Sequence, residues 1–378
     1  MNAGTVGTPA INVARPVLTM PPRTSVLAWL MLLTLLLSVH AAFRGMGSDY
    51  DALGYSIWFE RVVELDSRAF LDGLAESNLY YPADILFSFE VGFAVLTFLI
   101  SRISSNIELF FFCVAFLSLT LKSIAISKYC VRPGWAILWY VSWYYLLQEM
   151  TTLRAGLATG FLLMGYAHLR DARYVKYSVY IALACLFHAS AASAILLVVL
   201  RKFEPSVKTV VTLLLLAFAT SYINALPLIE VLGGLSDKIA EYYVLYTDVG
   251  LYTEVNKFNV IVLLRVVIIL AIAIWIPKVE SADMNFRFEY SMFAIPVILY
   301  YALASFPLVG GRLSELLGVF QIFLVSSVAA SWPHLKRVTV IIFMTAVLQF
   351  YVLVFHVKWA DFFYFYGDSY QIETTHGL

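Results

Sequence analysis

Charge is scarce in this sequence. Lys, Arg, Asp and Glu make up 13% of 378 residues, about half the share of a typical soluble domain, roughly 25%. That scarcity excludes an ordinary water-soluble fold. The charges present cancel, 25 basic against 25 acidic, so no global positive field points to nucleic acid. Cysteine is scarce too. Cys113, Cys130 and Cys185 lie in or beside apolar runs without CxxC spacing. They read as small core residues rather than disulfides or metal ligands. No P-loop, GxGxxG or HExxH string occurs, so ATP hydrolysis and metalloprotease chemistry have no support. No cofactor and no metal are expected.

Apolar runs are abundant instead, and 61% of the chain is hydrophobic. The first covers residues 25–43. Others follow at about 85–100, 107–127, 133–149, 153–169, 174–200, 207–224, 258–276, 288–306, 313–332 and 338–357. Barrel strands would alternate over about 10 residues, whereas these runs approach the ~20 needed for a membrane helix. The expected fold class is therefore all-α, a polytopic integral membrane bundle with 10 to 11 hydrophobic segments, some half-length or re-entrant. Residues 1–23 form a polar tail, expected to be disordered and cytoplasmic. Residues 24–357 form one transmembrane domain, with outer polar loops at 44–84 and 225–257. Residues 358–378 form a C-terminal tail.

The basic links Lys128–Arg132, Arg170–Lys176, Arg201–Lys208, Lys278–Arg287 and Lys336–Arg337 belong on the cytoplasmic side. Both ends of 174–200 are then cytoplasmic. The segment must enter and return, with His188 at the inward turn. Each half would be about 20 Å long, and such a turn must be buried in protein or line a cavity. Residues 85–127 carry a related parity problem, which either one half-length helix or one link that breaks the rule would solve.

With this orientation, Arg154 and Arg312 each fall in the first turn of a helix starting at the outer face. Thr151 and Thr152 before Arg154 can cap free N–H groups. Gly310 and Gly311 before Arg312 allow a ligand close to the backbone. A helix N-terminus with a guanidinium fork suits phosphate, and two facing one cavity suit pyrophosphate. Each Arg could instead snorkel or pair with a structural acid. His188 is a candidate general base, a phosphate ligand or a satisfied core histidine. Asp49 and Glu90 are candidate bases as well; Glu90 could instead be the partner of Arg154. Tyr80, Tyr81, Tyr242, Tyr243, Tyr246 and Tyr252 suit an interfacial belt or a sugar-stacking groove.

Five strings then occur in order: Gly47-Ser48-Asp49 with Tyr55, Glu90-Val91-Gly92-Phe93, Leu153-Arg154-Ala155-Gly156-Leu157-Ala158, Ala184-Cys185-Leu186-Phe187-His188-Ala189-Ser190-Ala191, and Gly310-Gly311-Arg312-Leu313. Together they resemble the EpsG family of Wzy-type polysaccharide polymerases over about residues 44–330. The chain departs from the family's pattern at Val91 and Ala155. The resemblance implies a GT-C-like, lipid-dependent glycosyltransferase in the bacterial inner membrane, passing through it several times. It would move a growing glycan from undecaprenyl pyrophosphate onto a lipid-linked repeat unit at the outer, periplasmic face. The product would be O-antigen or another exopolysaccharide, and a chain-length regulator is an implied partner. Arg154, Arg312, Thr152 and Gly311 would bind substrate; His188, Asp49 or Glu90 would deprotonate the acceptor. The competing readings are a transporter or flippase of lipid-linked oligosaccharide and a membrane acyltransferase.

Overall fold

The computed structural model describes residues 23–44, 50–76, 90–223, 256–275, 284–331 and 336–355. Among these the chain is helical, with no strand. The first half comprises α1 (Arg23–Ala42), α2 (Tyr50–Glu64), α3 (Ser67–Glu76), α4 (Val91–Ser101), α5 (Ile107–Tyr129), α6 (Pro133–Trp139), α7 (Leu153–Met164) and α8 (Tyr166–Arg170). The second comprises α9 (Tyr174–Cys185), α10 (Ile195–Phe203), α11 (Val207–Thr220), α12 (Val260–Trp275), α13 (Met284–Ala302), α14 (Pro307–Gly318), α15 (Gln321–Ala330) and α16 (Lys336–Phe355). Two π-helical stretches, Tyr140–Tyr144 and Leu146–Thr151, separate α6 from α7. A 3₁₀ helix, Ala189–Ala194, joins α9 to α10.

The helices are those of a membrane protein. Thr24–Ala42 and Ile107–Tyr129 are each long and apolar enough to cross a bilayer. Val309–Gly318 and Gln321–Ala330 could form a third span, bent by 40°. The other apolar stretches give shorter helices, such as Val91–Ser101, Leu153–Met164 and Val207–Thr220. Apolar composition alone does not make a continuous helix: residues 133–149 switch from α to π pairing, and 153–169 break at Gly165.

Helices α1 and α5 run antiparallel. Val39, Ala42 and Phe43 at the end of α1 share a cleft with Asn106, Leu109 and Phe112 at the start of α5. Midway, the Thr34 and Ser123 hydroxyls pair at 2.7 Å. Just past α1, Arg44 donates to the carbonyls of Ala41, Met150 and Glu149, and its guanidinium lies 4.0 Å from the Phe111 ring centroid. One side chain thus satisfies orphan carbonyls at the ends of two helical segments and fixes where α7 begins.

The polar stretch 44–84 is not simply a loop, because it contains α2 and α3. In α2, Tyr55, Trp58, Phe59 and Val62 are buried, while Glu60, Arg61 and Glu64 are exposed. The i, i+3, i+4, i+7 spacing is that of an amphipathic helix. Its charged face gives the stretch its loop-like composition. The buried face packs on α4, with Trp58 stacked on Phe93 at 5.5 Å.

Residues 174–203 double back. Lys202 near the end of α10 sits 5.2 Å over the ring of Tyr174, which opens α9. His188 lies in the turn between them. The half-length element in 85–127 is α4, 11 residues long, about 16 Å.

Candidate active site

The site begins with a backbone contact. The N–H of Gly92, in the first turn of α4, donates to the carbonyl of Leu186 at the tip of α9 (2.8 Å). A free donor of one helix meets a free acceptor of another, which removes two orphan groups in an apolar setting. The approach demands glycine, since a Cβ at position 92 would lie 2.7 Å from that carbonyl oxygen.

This junction brings Glu90 to His188. Glu90 is the extended N-cap residue of α4, and His188 is the extended N-cap residue of the 3₁₀ helix. Glu90 Oε1 accepts the N–H of Ala189 at 2.9 Å and lies 3.3 Å from His188 Nδ1. Its Oε2 accepts from Arg154 Nη1 at 2.6 Å. Arg154 Nε also donates to the Tyr55 hydroxyl at 3.4 Å. The side chains of Glu90, Arg154 and His188 are 18%, 24% and 15% exposed. They are therefore desolvated but reachable. Charge and hydrogen bonds engage both oxygens of Glu90, so the carboxylate is held ionised and is a weak base. His188 Nδ1 lies beside that carboxylate at 3.3 Å without a hydrogen bond among the described residues, and the ring has two nitrogens able to exchange a proton near neutral pH.

The other candidate residues stand differently. Thr152 is the N-cap of α7 without a side-chain cap bond. Its hydroxyl donates back to the Leu147 carbonyl at 2.9 Å, and that of Thr151 to Leu146 at 3.4 Å. The expectation that they cap free N–H groups is overturned, because the preceding π-turn offers nearby carbonyls. Arg154 lies in the first turn of α7, as expected. Arg312 does not lie in a first turn. Pro307, with φ preset for helix, starts α14 earlier, and Arg312 sits in the second turn. Gly311 is therefore inside the helix, facing open space. Arg312 is exposed. Helix α14 packs against the 3₁₀ helix and α7, bordering the Glu90 cluster. Asp49 lies outside the described residues, as do Tyr80, Tyr81, Tyr242, Tyr243, Tyr246 and Tyr252.

The EpsG family profile matches residues 27–367, nearly the whole chain. The chain belongs to the EpsG family. That family is associated with Wzy-type polysaccharide polymerases. No curated protein and no solved structure matches the chain.

Two charged clusters in this EpsG-family bundle are not among the residues expected from sequence. Lys122 and Glu149 form an ion pair that is 1% and 0% exposed. Glu149 Oε1 also accepts from Ser118 Oγ (2.9 Å) and from the Tyr140 hydroxyl (2.6 Å). The π-helical register brings Tyr140 and Glu149, nine positions apart, to the same atom. Arg265, alone in the run Val260–Trp275, is 3% exposed and lies over the rings of Trp143 and Tyr144, 5.6 Å from each centroid. The signal in the sequence is the same in both cases: a lone ionisable residue inside an apolar run.

Proposed function

We propose that this protein is a polysaccharide polymerase of the Wzy type that elongates a lipid-linked glycan. The observation that carries the reading is the meeting of Glu90, Arg154 and His188. Three strings far apart in sequence, each part of the family resemblance, converge on one partly exposed site.

The chemistry is glycosyl transfer. A hydroxyl of the acceptor repeat unit attacks the anomeric carbon of the donor glycan. The bond from that carbon to the lipid pyrophosphate breaks, and its electron pair leaves with the pyrophosphate. The hydroxyl proton goes to His188 Nε2. Glu90, 3.3 Å from Nδ1, stabilises the imidazolium that results. Arg154 keeps Glu90 ionised and adds positive charge beside the reacting centre. Arg312, exposed on the bordering helix, is the candidate to meet the departing pyrophosphate. The donor is an undecaprenyl pyrophosphate-linked glycan, and a chain-length regulator is a natural partner.

The positive-inside rule supports an orientation in the bacterial inner membrane. The link Lys128–Arg132 and the ends of the α9–α10 hairpin fall on the cytoplasmic side, and the starts of α7 and α14 on the periplasmic side. Half-length helices within a multi-pass bundle suit a GT-C-like lipid-dependent glycosyltransferase.

The test is the surface glycan after removal of the protein. Loss of the long-chain ladder, with single repeat units still reaching the surface, supports polymerase. An unchanged chain-length distribution refutes it, and single units trapped on the inner leaflet would assign a transporter instead.

A further inference from the structure

A second group of charges lies on α12 and α14, both of which start near the end of α13. Tyr301 at that end donates to the Lys257 carbonyl just before α12 (3.1 Å), and α14 follows after a short link. Arg265 is the sixth residue of α12; Arg312 and Glu315 are the sixth and ninth of α14. They thus lie about 8–12 Å along their helices from that common end. Glu315 interacts electrostatically with both Arg265 and Arg312, and Tyr144 with Arg265 and Glu315. Helix α14 approaches this ring closely: Gly318 lies against Tyr144, where a Cβ would meet its hydroxyl oxygen.

The three charges do not close on one another. Among the described residues, none of Arg265, Arg312 and Glu315 makes an ion-pair contact. Arg265 Nε and Nη2 are buried with no hydrogen-bond partner among the described residues. The aromatic rings beneath Arg265 offer π faces, which leave the in-plane N–H groups unused. Nε and Nη2 are the side-on pair of the guanidinium fork, which two oxygens of one phosphate accept together. Two cations and one carboxylate leave one positive charge in excess. A buried guanidinium whose side-on donors are both unused is costly in an apolar bundle and marks a candidate ligand site.

We propose that Arg265 and Arg312 frame a binding site for a phosphoryl group, with Glu315 as its acidic limit. The ligand oxygens take the side-on donors of Arg265, and Arg312 closes the site from its exposed side. Glu315 repels the anion and so keeps binding reversible. The inference deepens the polymerase reading by naming Arg265 as the residue that holds the leaving phosphate, and rests on that reading only for the identity of the substrate.

The test is binding, independent of any polymer. Purified full-length protein in detergent would be titrated with inorganic pyrophosphate and, separately, with farnesyl pyrophosphate, following thermal unfolding. A ligand bound by the folded state raises the midpoint. Stabilisation by either probe supports the site, and by farnesyl pyrophosphate alone assigns the phosphate to a lipid. Arg265→Met should weaken binding at least about tenfold, and Arg265→Lys less. Glu315→Gln should tighten it about fivefold by removing a like charge. If Arg265→Met fails to fold, the Glu315→Gln measurement still decides. Equal binding by wild type and either Arg265 variant, weaker binding by Glu315→Gln, or no binding of either probe overturns the site. Binding as expected alongside an unchanged surface ladder would leave the phosphoryl site standing and remove the polymerase.

Discussion

Two ion pairs in this bundle use the same chemistry to different ends. Lys122–Glu149 is sealed, while Glu90–Arg154 stays 18–24% exposed. In the sealed pair one carboxylate oxygen takes the ammonium, Tyr140 and Ser118, and α5 is tied to the π-helical stretches. No substrate can reach it without opening the core. In the second pair the carboxylate bonds a guanidinium from α7 and a backbone N–H of the 3₁₀ helix, with the imidazole of that helix's N-cap residue 3.3 Å away. In an apolar protein every charge is costly. Charge alone therefore does not separate the residues that hold the fold from those that act on a substrate. Access separates the two pairs, since even the sealed Glu149 keeps one oxygen, Oε2, without a partner among the described residues.

The comparison can be broken at its accessible side first. Arg154→Ala should abolish polymer while the protein stays in the membrane at its normal level; Arg154→Lys should also be poor, because a point charge cannot serve Glu90 and Tyr55 as a planar fork does. Wild-type glycan ladders from both variants would remove Arg154 from the site. His188→Ala should lower the polymerisation rate by about 10²–10⁴-fold with little change in unfolding temperature. A rate loss matched by a collapse of stability would make His188 a structural residue.

The sealed pair should answer in stability. Lys122→Met leaves an unpaired carboxylate and should cost about 3–5 kcal/mol, with most of the loss recovered in the double variant Lys122→Met/Glu149→Leu. Failure of the double variant to recover would mean the pair does more than neutralise itself. The smallest expected effect is at the junction. Gly92→Ala should cost about 1–3 kcal/mol by pushing α4 off Leu186, and activity should fall more than stability because Glu90 moves with it. Unchanged activity in a folded Gly92→Ala variant would show that the site tolerates a looser junction.

Much of this is legible in the sequence, for identifiable reasons. The counts of Lys and Arg in the links require 174–200 to return, and the Lys202–Tyr174 contact shows that it does. Glu90 and Arg154 stand out as charges at the edges of apolar runs, where each is a natural partner for the other. Other features are hidden. Helix α2 has a polar half that dilutes its apolar residues, so composition conceals the period of Tyr55, Trp58, Phe59 and Val62. The π-turns leave no local mark in sequence, so the meeting of Tyr140 with Glu149 could not be anticipated. The two glycines before Arg312 look like a helix opening, whereas the helix-starting signal is Pro307. Arg265 is visible as a lone charge in an apolar run, but nothing in the sequence shows that it meets the rings of Trp143 and Tyr144.

The contact between Gly92 and Leu186 bears on how the protein is made. Helix α4 has 11 residues and α9 has 12, while holding a bilayer independently takes about 20. The free N–H of Gly92 and the free carbonyl of Leu186 are satisfied only once both helices are present, and the two are separated by the whole of α5 to α8. The segment bearing Glu90 is synthesised first and must wait for the hairpin bearing His188 before its end is satisfied. The candidate site is therefore complete only when both segments are in place.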